Sequence, residues 1–285
     1  MSTLTIRRLG VDLDTPPRRH WCGGDAFRTA LFNALSFSFP AGEQFFIDSM
    51  RRTLAAAPAE LRERFDEAQR GFIGQEATHR RIHDRFNAHL LAQGLRNHWD
   101  RRIRRRQRLI ERSDPRVWLG FTAATEHFTA FLAEYLFAHP ELLGGAEPRW
   151  RDLWLWHASE ETEHRAVAFD LYRAAGGDER WRRRLFWMVS FTFATDLMRQ
   201  TLNNLWHDGT WWRLSTWVSG GRVLLGRDGL IRGTRRAWKA YLRPDFHPLQ
   251  SDGSAGARWL ESHRELAPAV GAGRSEAVDQ AALQG

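Results

Sequence analysis

One spacing of glutamate and histidine occurs twice in this chain, as Glu76-x-x-His79 and Glu161-x-x-His164. Three residues apart on a helix, a carboxylate and an imidazole sit on adjacent turns of one face, so both can reach the same ion. Each pair follows a lone glutamate: Glu43 precedes Glu76 by 33 residues, and Glu126 precedes Glu161 by 35. The set offers four carboxylates and two imidazoles. Four negative charges neutralise two divalent cations, and two of the carboxylates can bridge them. Hard oxygen donors with one imidazole per ion suit iron, or manganese, better than zinc or copper. The chemistry is that of a centre of two metal ions, iron first and manganese or zinc as alternatives, with positions left open for water, oxygen or substrate.

Steps of three and four residues place these side chains on inward faces. One stripe reads Trp150, Trp154, His157, Glu161, His164, Ala168, Leu171, and another Phe72, Glu76, His79, His83, Phe86, Leu90. A third reads Leu119, Thr122, Glu126, Thr129, Ala133, and a fourth Phe39, Glu43, Ile47, Met50. Each is apolar at its ends and ionisable within. A buried carboxylate costs several kcal/mol unless it is paired or coordinated. The competing reading is therefore a set of buried ion pairs with arginines such as Arg80 and Arg165. His83 and His157 lie one turn from a ligand position, as hydrogen-bonding supports, extra ligands or satisfied core histidines. Glu160 and Glu163 fall off the stripe and are expected in solvent, with Glu160 a substitute ligand if the helical phase slips. His127 points to a neighbouring face and reads as structural. No catalytic group beyond the ligands stands out.

The elements that must hold these residues are helices. Proline and glycine predict a helix from Asp25 to Phe39 interrupted at Pro40, a second from there to Pro58, and a long third ending near Gly94. After a basic segment, Asp114-Pro115 opens a helix that runs to His139-Pro140. Pro148 starts another that stops at Gly176-Gly177, and further helices are predicted at 179–206, 211–225 and 229–242. No strand is needed. The fold class is all-α, a four-helix bundle of ferritin-like type around a di-metal centre, with additional C-terminal helices. Residues 1–24 read as irregular, 25–250 as the helical domain, and 251–285, rich in Gly, Ala and Ser, as a flexible tail.

Bulk properties narrow the function classes. The chain has 285 residues and a net charge of +8, but Lys239 is its single lysine, and an arginine bias of this kind reflects genome composition more than nucleic-acid binding. No nucleic-acid partner is expected. Cys22, the one cysteine, excludes an intrachain disulfide and fits a reducing cytoplasm. The first residues carry charges where an export signal needs an apolar core. The apolar run at 185–198 is too short to span a bilayer and reads as a buried helix, with a membrane-surface helix as the alternative. The arginine clusters at 101–106 and 180–184 read as solvated helix faces or connectors, with contact to anionic lipid or a phosphorylated substrate as the alternative, and a homodimer stays open.

The segments FSFPAGEQFFIDSMR, FIGQEATHRRIHDRFN, TAATEHFTAFLAEYLF, WHASEETEHRAVAFDLY and YLRPDFHP resemble, in order and spacing over residues 20 to 250, the bacterial family called predicted metal-dependent hydrolases, a ferritin-like group. That resemblance implies Glu43, Glu76, His79, Glu126, Glu161 and His164 as metal ligands, the set the stripes also give.

Three functions compete. The ligand pattern favours a di-iron oxidase or oxygenase acting on an apolar or lipid-like small molecule, with the Trp- and Phe-rich later helices lining a pocket or packing the core. The alternatives are a hydrolase that uses a metal-activated water, and an iron-binding or ferroxidase protein.

Overall fold

Aspartate and proline fix the helix starts in this computed structural model, which describes residues 4–270. Asp25 caps helix α1 (Ala26–Ala55), its side chain accepting from the Arg28 amide, and α2 (Ala59–Ala92) follows Pro58. A short arginine-rich α3 (Trp99–Leu109) leads to α4 (Pro115–Ala138), where Asp114 caps and Pro115 occupies the first turn. Pro148 opens α5 (Pro148–His164), followed by α6 (Val167–Ala174). Asp178 caps α7 (Glu179–Asp208), which ends at Gly209 in the left-handed conformation, φ 74°. Helices α8 (Leu214–Leu225), α9 (Leu230–Ala240) and α10 (Ser254–Ser262) follow among the described residues. Among the described residues there is no strand, only two isolated bridges, Arg7 with Ala269 and Cys22 with Ala146. The fold is all-α, and none of the described helices is long and apolar enough to cross a membrane.

Helix α1 packs on α2, and α4 packs on both α1 and α5. Their apolar residues fall into two clusters separated along the helix axes. One contains Phe45, Met50, Phe72, Leu119 and, from α6, Ala168. The other contains Phe32, Phe37, Phe86, Leu136, Trp150 and Trp154. On each of the four helices the ionisable residues of the stripe lie between the two. Helices α7 and α9 cover α4, and α10 covers α5. That last contact is close: a Cβ at Gly256 would lie 2.4 Å from Thr162 Oγ1 and 3.0 Å from the Ser159 Cα.

Several expectations need correction. Pro40 does not interrupt α1, which runs through it. A proline here lacks the N–H that the Ser36 carbonyl would accept, and the Asn87 side-chain amide of α2 donates to that carbonyl instead, at 2.9 Å. Conversely, the helix from Pro148 does not run on to Gly176. It breaks after His164, where the Arg165 guanidinium takes the Thr162 carbonyl that the Ala166 amide would otherwise hold. Residues 185–198 are not a buried helix. Phe186 and Val189 are buried, but Trp187, Met188, Phe191 and Met198 are exposed.

Arg182 is not part of a solvated cluster either. It is buried and donates to the carbonyls of Tyr241 and Arg243 and to Glu179. Of the other cluster, Arg102 and Arg106 hold the buried Asp196 at 2.6 and 2.5 Å. Within the segment expected to be a flexible tail, residues 254–262 form α10 and Arg8 donates to the Pro268 carbonyl at 2.9 Å. The remainder of that segment, 271–285, lies outside the described residues.

Candidate metal centre

Four helices bring the predicted residues to one point. Glu43 comes from α1, Glu76 and His79 from α2, Glu126 from α4, and Glu161 and His164 from α5, and each is at most 2% exposed. His164 Nε2 lies 3.3 Å from Glu76 Oε1, 3.4 Å from Glu126 Oε2 and 3.4 Å from Glu161 Oε2. His79 Nδ1 lies 3.6 Å from Glu161 Oε1. Three groups present ligand atoms that all lie within 4.8 Å of one another: Glu76, Glu126 and His164; Glu76, His79 and Glu161; and Glu43, His79 and His157. Glu76 belongs to two of these groups and Glu161 contacts the histidines of both α2 and α5, so these two carboxylates sit in the middle.

The outer nitrogens of the histidines are held. His79 Nε2 faces Glu160 Oε2 at 2.9 Å. His164 Nδ1 faces Gln75 Oε1 at 3.1 Å, and the Gln75 amide nitrogen donates to the Thr5 carbonyl and to Glu163. Such contacts orient a metal-ligating ring and fix its tautomer. The inner atoms, by contrast, have no hydrogen-bond partner. They include both oxygens of Glu43, Glu76 and Glu126, Glu161 Oε2, His79 Nδ1 and His164 Nε2. Buried polar atoms rarely go unsatisfied, and here they converge.

The electrostatics of the cluster follow from its burial and its mutual contacts. Burial, reinforced by Glu161, drives Glu43 and Glu76 well above the usual carboxylate range. Burial lifts Glu126 and Glu160 to about 8. Burial pulls His164 down, but the facing Glu126 and Glu161 carboxylates outweigh it and raise the ring to about 9. Glu161 moves the other way: burial opposes ionisation, yet His164 and His157 hold it well below its ordinary value. Burial and the neighbouring His157 keep His79 well below its ordinary value. Without a cation this cluster must retain protons; divalent ions would replace them and take up the unpartnered lone pairs. The donor set fits a metal centre. The arginine ion pairs of the competing reading are not formed: among the described residues neither Arg80 nor Arg165 makes a salt bridge to these carboxylates. Arg80 donates to Gln44, and Arg165 donates to the backbone of residues 162, 248 and 251.

The surrounding residues divide less cleanly. Glu160 is not in solvent but fully buried against His79 and Arg7. Glu163 is partly exposed and carries the Arg7 guanidinium at 2.7 Å. His83 and His157 are buried and linked to each other at 3.0 Å. His127 stands apart, donating to the Ala237 carbonyl at 2.9 Å. The supports that sequence stripes missed are Arg7, Ser36, Gln75 and Asn87. No local pattern marks them, since their partners are 47 or more residues away.

A cavity of about 330 Å³ reaches the cluster from outside, with Glu43 and Glu161 in its wall. Its other sides are mostly apolar and include Phe39, Phe46, Ile110, Val189 and Phe193. Arg106 and Asp196 also line it.

The family model described as predicted metal-dependent hydrolase matches residues 5–252. No curated protein and no solved structure matches the chain.

Proposed function

This chain belongs to the predicted metal-dependent hydrolase family, and we propose that it hydrolyses a small, largely apolar molecule at a centre of two divalent ions. Glu43, Glu76, His79, Glu126, Glu161 and His164 would hold the ions, in a bundle of ferritin-like type. The observation that carries this reading is that Glu43 and Glu161 belong both to the buried cluster and to the wall of the apolar cavity. A substrate in that cavity meets the cluster without crossing the core.

A divalent ion bound there lowers the pKa of a coordinated water and polarises an acyl oxygen, the chemistry hydrolysis needs. The chain's own residues do the rest. The apolar walls hold the substrate body and exclude bulk water, which strengthens every charge interaction at the cavity floor. Glu160 and Gln75 keep the His79 and His164 rings turned inward. In the metal-free cluster Glu126 holds a proton up to a pH of about 8, so loading with metal releases protons.

Oxygen activation on an apolar substrate is the second reading, and the donor set favours it. Four carboxylates against two imidazoles match the hard, iron- or manganese-selective pattern of di-metal carboxylate bundles. Metal content per chain, followed by assays of the protein reloaded separately with iron, manganese and zinc, decides between them. Turnover of p-nitrophenyl acyl esters without oxygen consumption supports hydrolysis. Oxygen uptake on adding ferrous iron, with no ester turnover under any metal, overturns it in favour of the second reading.

A further inference from the structure

We infer that His157 is a seventh ligand, making the two metal positions unequal, and that its tautomer is set by Pro40 through three residues, Ser36, Asn87 and His83. The inference rests on the metal reading above.

The chain of constraint starts in the backbone. Pro40 leaves the Ser36 carbonyl without a helical partner, and Asn87 Nδ2 donates to it at 2.9 Å. A carbonyl can only accept, so the amide nitrogen must face it and Asn87 Oδ1 must face the other way. There the Ser36 hydroxyl donates to Oδ1 at 2.7 Å. Having given its one hydrogen, Ser36 Oγ accepts from His83 Nδ1 at 2.8 Å. His83 therefore carries its hydrogen on Nδ1 and offers a lone pair at Nε2. His157 Nδ1, 3.0 Å from that lone pair, is the donor. The neutral His157 ring is left with a bare Nε2.

That nitrogen points at the cluster. It lies 3.2 Å from Glu161 Oε1, and it has no hydrogen-bond partner although His157 is only 3% exposed. Two facing lone pairs at this distance can share one cation. Phe39 stacks on the ring with centroids 4.5 Å apart, fixing its plane. The arrangement repeats that of His79 and His164: outer nitrogen held, inner nitrogen facing the cluster without a hydrogen-bond partner.

His157 belongs with Glu43 and His79. One metal position then has two nitrogens, from His79 and His157, and the other has one, from His164. Imidazole donors raise affinity for cobalt, zinc and ferrous ions relative to manganese, so the two positions should fill at different concentrations. Ser36, His83 and Asn87 are positioning residues that act through His157.

Titration of the metal-free full-length protein with Co(II), followed by visible absorption and by metal content, tests this. The wild type should bind two Co(II) per chain in two separable steps. His157→Ala should weaken the tighter step by at least about tenfold and change its absorption envelope, leaving the weaker step in place. Asn87→Asp, whose carboxylate cannot donate to the Ser36 carbonyl, should shift the same step by a similar factor with the helix content unchanged, which a general packing defect would not do selectively. Two ions bound with the same affinities and spectra in all three proteins overturn the role of His157. No Co(II) bound by the folded wild type overturns the metal reading beneath it.

Discussion

His79 Nε2 lies 2.9 Å from Glu160 Oε2, and neither side chain reaches solvent. This contact turns Nδ1 toward the cluster, and a carboxylate in that position raises the basicity of the ring. Glu160→Ala should weaken metal binding by about ten- to hundredfold. Above pH 8, where Glu160 is ionised, Glu160→Gln, which still offers an acceptor oxygen but no charge, should fall between the two. Zinc titration of the metal-free proteins measures the difference. Equal affinities across the three would show that the ring keeps its direction without Glu160.

The sequence stripes pick out the six converging glutamates and histidines but misplace Glu160, and the reason is physical. A helical stripe assumes one face toward the core and one toward water. Around Glu160, helix α5 is covered on its outer side as well, because α10 lies on it and Arg7 of the N-terminal segment reaches Glu160. Glu43 shows the opposite case. Its helical phase is in doubt only if Pro40 ends the helix, and what carries α1 through is the amide of Asn87, 51 residues away from Ser36. Local propensity has no access to a hydrogen bond of that range. Helix existence, most starts and the ligand spacing are local properties, and those are legible.

Gly42 lines the cavity next to Glu43, and a Cβ added there meets no atom within 4 Å. Gly42→Ala should raise the stability of α1 by up to about 1 kcal/mol, the helix-propensity difference. Gly42→Phe should fill the cavity and cut turnover of the longest ester the wild type accepts by about tenfold or more, with metal content unchanged. A Phe variant that turns over long and short esters like the wild type would show that substrate does not use this cavity.

Asp196 ties α7 to α3 through Arg102 and Arg106 at the cavity wall. The carboxylate is buried while both arginine side chains are partly exposed, so the arginines can turn toward water when their partner is lost. Asp196→Ala should therefore cost about 2 kcal/mol, not the larger penalty of a fully buried pair. A double-mutant cycle with Arg106→Ala in urea unfolding should give a coupling above about 0.5 kcal/mol. Strict additivity of the two substitutions would mean the ion pair contributes nothing to holding α3 in place.

His127 offers a pH dependence that does not involve the metal centre. Burial lowers its pKa from 6.5 to about 4, against the opposing hydrogen bond to the Ala237 carbonyl and helped by the Arg182 charge. The folded protein thus binds fewer protons than the unfolded chain between these two values. The contribution of the neutral ring is complete above pH 6.5 and is lost as pH falls toward 4. A shift of this size corresponds to about 3 kcal/mol. His127→Gln keeps an N–H donor for the Ala237 carbonyl but does not titrate. Between pH 7 and pH 4 the wild type should lose about 3 kcal/mol more unfolding free energy than this variant. His79 and His83, which burial also holds low, titrate in both proteins and drop out of the difference. Parallel urea-unfolding profiles for the two proteins would show that His127 keeps an ordinary pKa, and that the Ala237 contact does not depend on a neutral ring.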